Sequence, residues 1–209
     1  HATQQGVNVG DCLYKDISGP EGTPDGVIDA YDQTVLGSGL PKVNFGLSAR
    51  LEYKNFDLSI STYGALNYHV SDDIYNSLNS CYGWGNKDVS ILNANQYSSD
   101  GKTYISSVPR TYVTNNASLA WNDLFSSRKI QNAAYWKIAN IELGYNLPNK
   151  WFKGIISGAR AYISAQNVYT FTGYHGYNVD YAGGTFTPGN NFCSFPTPHT
   201  YMCGVQFTF

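Results

Sequence analysis

Strict alternation of apolar and polar residues, sustained for about ten residues at a time, leaves this 209-residue chain few folds to choose from. From Val43 to Tyr53 the odd positions are Val43, Phe45, Leu47, Ala49, Leu51 and Tyr53; the even ones are Asn44, Gly46, Ser48, Arg50 and Glu52. Successive strand residues point to opposite faces, so this stretch has one apolar face and one polar face. From Phe56 the parity flips, with Phe56, Leu58, Ile60 and Thr62 apart from Asp57, Ser59, Ser61 and Tyr63. A two-residue turn at Lys54-Asn55 explains the flip, and Asn is expected to take the positive φ such turns need.

Three further segments alternate in the same way. Tyr135 to Leu147 places Tyr135, Ala139, Ile141, Leu143, Tyr145 and Leu147 on one side, with Lys137 the exception. Trp136, Ile138, Asn140, Glu142, Gly144 and Asn146 take the other, and Pro148 ends the run. Ala159 to Phe171 sets Ala161, Ile163, Ala165, Asn167, Tyr169 and Phe171 against Arg160, Tyr162, Ser164, Gln166 and Thr170. Thr200 to Phe209 sets Tyr201, Cys203, Val205, Phe207 and Phe209 against Met202, Gly204, Gln206 and Thr208.

These segments exceed the usual soluble strand of about 5 to 6 residues and match the roughly 9 to 11 that cross a bilayer at a tilt. Their connections are asymmetric: Lys54-Asn55 and the stretch around 149–158 are short, whereas 66–132 and 173–199 are long. Alternating strands with short turns on one side and long loops on the other predict an outer-membrane β-barrel. The expected fold is therefore all-β: about five C-terminal strands of a large antiparallel transmembrane β-barrel with long extracellular loops. In that reading 1–42 is an extracellular loop, 43–65 a hairpin and 66–132 a second loop. Residues 133–172 are two strands with a periplasmic turn, 173–199 a third loop and 200–209 the terminal strand. Tyr53, Phe56 and Tyr145 at one end, and Tyr135, Tyr169 and Phe171 at the other, are expected to form aromatic girdles. An odd set of strands cannot close a barrel, and the chain opens at His1 without a leader, so a piece of a larger barrel is expected. The alternative is a soluble extracellular β-sandwich carbohydrate-binding module, whose strands also alternate.

Composition excludes other classes. Lys and Arg total 13 against 15 Asp and Glu, for a net charge of −2, so there is no basic excess to neutralise a nucleic acid backbone. No apolar run is long enough for a transmembrane helix. Catalysis finds no support: His1, His69, His175 and His199 have no triad-like or metal-ligating neighbours, and Asp72-Asp73 would face opposite ways on a strand. Charged residues make up only 13% of the chain, whereas Tyr alone supplies 18 residues. Tyr82, Trp84, Tyr174 and Tyr177, in loops rich in Asn, Ser and Gly, are the expected ligand contacts, since rings stack on sugar faces and amides bond hydroxyls. Packing among the loops or against a partner protein is the other use of such rings. Cys12, Cys81 and Cys193 fall in predicted external loops, where one disulfide is expected and three connectivities are open; Cys203 falls on the apolar face.

Particular residues resemble a known family. The run Gly10-Asp11-Cys12-Leu13-Tyr14-Lys15-Asp16, then Asp25-Gly26-Val27-Ile28-Asp29 and Asp32, is similar to a stretch near the end of SusC-like TonB-dependent transporters (SusC/RagA family, Bacteroidetes type). Leu40-Pro41-Lys42, Leu51-Glu52-Tyr53-Lys54-Asn55-Phe56-Asp57-Leu58, Tyr135 through Pro148, Ser164 through Tyr174 and Phe195 through Thr200 resemble it in the same order. The resemblance implies a plugged barrel of about 22 strands, with the plug absent from this chain. It implies import of a nutrient, most often an oligosaccharide and sometimes a peptide, across the Gram-negative outer membrane. It also implies a SusD-like lipoprotein lid, and drive from the TonB complex through an N-terminal region that this chain lacks. Arg50, Glu52, Asp57, Glu142 and Arg160 would face the lumen, where the family holds its plug.

The family's acidic loop has the oxygen spacing of an EF-hand-like calcium site. Carried onto this chain, the structural Ca²⁺ ligands would be Asp16, Asp25, Asp29 and Asp32, with Ser18 and the Val27 carbonyl beside them and Gly26 at the turn. Ser18 stands where the family has Asn, and Pro20 to Pro24 interrupt the loop. A solvated acidic turn is the other reading.

Overall fold

The computed structural model describes residues 3–83, 85–112, 121–152, 156–180 and 183–209. The alternating segments form β1 (Val43–Tyr53), β2 (Phe56–Leu66), β5 (Tyr135–Leu147), β6 (Gly158–Thr172) and β8 (Thr200–Thr208). They pair antiparallel in the order β1-β2-β5-β6-β8, each large-sheet strand beside its predecessor. Register follows the pattern, because a slip of one residue would turn every apolar side chain onto the wrong face. Leu51 lies opposite Leu58, Leu58 opposite Leu143, Leu143 opposite Ile163 and Ile163 opposite Cys203, a continuous apolar row across all five strands.

The β1–β2 turn puts its positive φ on Lys54, at 54°, and not on Asn55. Asn55 is instead engaged across the sheet, where its side-chain amide donates to the Asn146 carbonyl at 2.8 Å and its own carbonyl accepts from the Asn146 amide at 2.7 Å. The hairpin end is thereby tied to β5, which leaves Asn55 less free to adopt a left-handed conformation.

Lys137 is explained by a β-bulge. Thr62 pairs with Ile138 but Ser61 with Asn140, so Ala139 is an extra residue and parity reverses there. Tyr135 and Lys137 consequently share the polar face with Tyr63, while Trp136 and Ile138 join the apolar face with Thr62. The expectation that Tyr135 belongs to an apolar-face girdle is corrected: the ring in that place is Trp136, stacked on Phe171 at 5.4 Å, with Tyr169 at 4.7 Å from Phe171. At the opposite strand ends Phe56 and Tyr145 pack at 4.7 Å.

Three short strands, β3 (His69–Asp72), β4 (Gln131–Asn132) and β7 (Asn190–Asn191), form a second sheet in the order β4-β3-β7. Beside it Ala65, Tyr68, Val70, Ala133, Tyr174 and Val179 make the buried cluster. Asp72 is not half of an acidic pair; it caps the helix α1 (Asp73–Leu78) by accepting from the Tyr75 amide at 2.8 Å. The chain divides into two compact units, residues 1–37 with 72–130 and residues 38–71 with 131–209.

Candidate functional site

The polar face of the large sheet carries an ion network built across three strands. Arg160 on β6 reaches over β5 to Asp57 on β2, with Nε 3.0 Å from Oδ1 and Nη2 on Oδ2, while Nη2 also donates to Glu142 Oε1 at 2.7 Å. Such a fork is the geometry in which guanidinium best matches carboxylate. Asn146 adds a longer contact to Asp57 Oδ1 at 3.3 Å. Gly144 opens the path, because a Cβ there would overlap the Arg160 guanidinium. The guanidinium also lies 5.5 Å from the Tyr162 ring, a cation–π distance. Of the five charges expected to share this face, Asp57, Glu142 and Arg160 converge. Arg50 and Glu52 pair with each other at 2.9 Å and are about two-thirds exposed, so their attraction is screened by water.

Toward the other strand ends lies a second cluster that the parity pattern concealed. Lys137 Nζ is 2.8 Å from Asp180 Oδ2, and the Tyr63 hydroxyl donates to the same oxygen at 2.7 Å. Burial pushes the Asp180 carboxyl up, but the Lys137 and Tyr63 donors and the Lys137 charge outweigh it and hold the group below the usual carboxylate range. An open cavity of about 470 Å³ adjoins it, lined by Leu40, Asn44, Tyr68, Tyr135 and Asp180 among others. The Tyr68 hydroxyl donates to the Val179 carbonyl. A lone Lys in an otherwise apolar register was the available signal, because a buried amine requires a partner. Asp180 lies on a loop 43 residues away, where no periodicity points to it.

In the first unit the organising residue is Asn122, 2% exposed. Its Oδ1 accepts from the Cys12 amide at 2.7 Å, and its Nδ2 donates to Asp11 Oδ1 at 2.9 Å and to the Arg110 carbonyl at 3.2 Å. Asp11 also receives Arg110 Nε at 2.5 Å. Burial raises the Asp11 carboxyl; bonds from Arg110, the Asn8 amide and Asn122 bring it below its ordinary value.

The expected Ca²⁺ ligands do not converge. Asp16 Oδ2 accepts from the Gly26 amide at 2.8 Å, Asp25 from Val27 at 2.9 Å and Asp29 from Tyr31 at 2.8 Å. Asp32 takes the amides of Ile17 at 2.7 Å, Ser18 at 3.2 Å and Asp29 at 2.9 Å. The four carboxylates stitch the loop to its own backbone, and among the described residues no three His, Cys, Asp or Glu side chains gather as a metal site. Insertion of Pro20 to Pro24 separates Asp16 in sequence from Asp25, and a backbone amide engages one oxygen of Asp16, while its Oδ1 is buried without a hydrogen-bond partner.

Of the expected ligand contacts, Tyr174 is corrected to a core residue, 6% exposed with its hydroxyl accepting from Asn191 at 2.7 Å. Tyr82, 39% exposed, packs on Tyr112 at 5.2 Å, and Tyr177 is 65% exposed. Trp84 lies outside the described residues. All four cysteines are free thiols, so the expected disulfide is not present.

The same architecture recurs among known proteins, although no family model matches the chain. TonB-dependent receptor P3 of Formosa agariphila is 26% identical over 205 residues, which is 94% of this chain and 19% of the relative. TonB-dependent receptor SusC of Bacteroides thetaiotaomicron is 25% identical over 189 residues, 88% of this chain and 17% of the relative. The RagAB peptide importer in its open-open state superimposes with a TM-score of 0.70 at 25% identity, covering 96% of this chain and 21% of that chain. Sequence and fold thus point the same way. The chain is similar to a segment of SusC-like TonB-dependent transporters. It spans about a fifth of the length of the relatives it matches. Two of the three are named as TonB-dependent receptors and the third as a peptide importer.

Proposed function

We propose that this chain forms part of the wall and outer loops of an outer-membrane importer driven by the TonB complex, with a SusD-like lipoprotein as its lid. Its apolar face would meet lipid, and its polar face, with Arg50, Glu52, Asp57, Glu142 and Arg160, the lumen and plug. The observation that carries this reading is the continuous apolar row across five strands of bilayer length, backed by an ion network on the opposite face.

The cargo we propose is a neutral oligosaccharide. All six charges of the five large-sheet strands (Arg50, Glu52, Asp57, Lys137, Glu142 and Arg160) are in ion pairs, so little unspent charge remains to select an ionic ligand. Exposed rings at Tyr82 and Tyr177, with amides near them in sequence, offer stacking and hydroxyl recognition in its place. A peptide is the second reading, favoured by the likeness to RagAB, a peptide importer. Calorimetry on the full-length protein with its lipoprotein separates the two. The proposal expects heat on titration with neutral oligosaccharide mixtures and none with mixed peptides; the reverse result replaces glycan with peptide. If neither uptake nor binding depends on TonB, the importer reading fails.

A further inference from the structure

Asn44, Ala65 and Tyr135 are neighbours in register across β1, β2 and β5, so their side chains share the polar face. Paired strands lie about 4.8 Å apart, which sets Asn44 and Tyr135 roughly 10 Å from one another with only the Ala65 methyl between them. The small residue leaves room there for the open cavity of about 470 Å³, and Asp180, Gly184 and Thr185 of the 173–199 loop form another part of its wall. Small-ligand sites occupy about 300 to 1,000 Å³, so the space is enough for one sugar ring.

The polar groups along this cavity keep hydrogen-bonding capacity. Among the described residues the Asn44 amide and the Tyr135 hydroxyl make no hydrogen bond, and neither is sealed from solvent. The Tyr135 ring is held edge-on by Tyr63 at 6.1 Å and by Tyr68 at 6.4 Å, which fixes where its hydroxyl lies. Asp180 commits Oδ2 to Lys137 at 2.8 Å and to Tyr63 at 2.7 Å, while Oδ1 accepts from no other residue and reaches solvent.

Charge then decides the class of ligand. Lys137 Nζ lies directly against Asp180 and cancels its field at a distance, so a cationic guest gains little. Lys137 is itself 3% exposed and does not line the cavity, so an anionic guest meets no open cation. A hydroxyl group, by contrast, finds an ionised acceptor at hydrogen-bond range, where such bonds are strongest. We propose that this cavity is a subsite for one neutral sugar ring, whose hydroxyls donate to Asp180 Oδ1 and exchange hydrogen bonds with the Asn44 amide and the Tyr135 hydroxyl. The proposal rests on the reading of the cargo as an oligosaccharide, and it seats one unit of that cargo on the sheet wall at the strand ends that carry the long loops.

The test is calorimetry on the full-length protein with its lipoprotein, using maltooligosaccharide, xylooligosaccharide and mannooligosaccharide mixtures and butylammonium chloride. Asn44→Ala and Tyr135→Phe each remove one hydrogen bond and weaken the best glycan mixture about fivefold. Asn44→Trp sets an indole over Ala65 and abolishes the heat. Heat-dependent gel mobility like wild type shows that each variant is folded; Asn44 is exposed, and Phe keeps the ring packing of Tyr135. If Asn44→Trp does not fold, the two milder variants decide. Glycan heat that is the same in wild type and variants overturns the subsite and leaves the glycan reading standing. No glycan heat in wild type overturns both. Heat from butylammonium that Asn44→Trp abolishes gives the cavity to a cation and overturns the proposal.

Discussion

Asn122→Ala removes the residue on which the first unit is knotted. The side chain satisfies three separate groups: the Cys12 amide, the Asp11 carboxylate and the Arg110 carbonyl. Only the orientation with Oδ1 toward the amide and Nδ2 toward the two acceptors serves all three, so the assignment is dictated by its neighbours. Truncation leaves an N–H and a C=O without partners in a site where Asn122 itself is 2% exposed. At about 1 kcal/mol for each lost bond, the local opening free energy falls by about 3 kcal/mol, roughly a hundredfold in the opening constant. Hydrogen–deuterium exchange of the full-length protein reads this at the Cys12 amide, whose partner is the deleted oxygen. Asn122→Asp keeps an acceptor for that amide but sets a second carboxylate against Asp11 and a carbonyl, and loosens the unit more than Ala does. Exchange at Cys12 within threefold of wild type in Asn122→Ala, or an Asp variant more protected than Ala, refutes the reasoning.

Three further outcomes are expected. Gly144→Ala drives Arg160 off Asp57 and costs the full-length barrel thermal stability, read by its heat-dependent gel mobility; with Arg160→Ala already present the same change costs much less, and equal losses in both backgrounds would argue against the contact. Lys137→Met strands a largely buried Asp180, lowering local stability by about 3 kcal/mol and exposing 173–199 to limited proteolysis. Because the folded Asp180 pKa lies below the unfolded value of about 3.9, its stabilisation is fully present above that pH. It is lost as the pH falls through the lower folded value, so wild type should become protease-sensitive in that acid window while Lys137→Met no longer responds there. EDTA leaves exchange of the Ile17 and Ser18 amides unchanged, since Asp32 accepts both, whereas Asp32→Ala accelerates both; EDTA sensitivity would restore a cation to the loop.

How far each residue could be read in advance follows from how local its cause is. The strand at Val43–Tyr53 and the apolar row through Leu51, Leu58, Leu143, Ile163 and Cys203 were legible because alternation is a property of neighbours along the chain, and burial of one face makes register a consequence of it. The convergence of Asp57, Glu142 and Arg160 was half legible: parity put them on one face, but only cross-strand register, together with the missing side chain at Gly144, brings them into contact. Ala139 as a bulge, and hence the faces of Tyr135, Trp136 and Lys137, depended on pairing with β2 and β6, which no local pattern encodes.

The loops lie furthest from the sequence pattern. Tyr174 looked like a ligand contact because its neighbours are polar, yet its burial is set by Tyr68, Val70 and Ala133 at long separation. Asp16, Asp25, Asp29 and Asp32 looked like a cation site because their types and order suit one, but the path of the backbone decides whether carboxylates face one another or face amides. Alternation, then, was enough to establish an all-β sheet with one face for apolar surroundings. Partners separated by about a hundred residues, such as Asp57 with Arg160 or Cys12 with Arg128, were settled by tertiary structure alone, because their contact depends on the whole path of the chain between them.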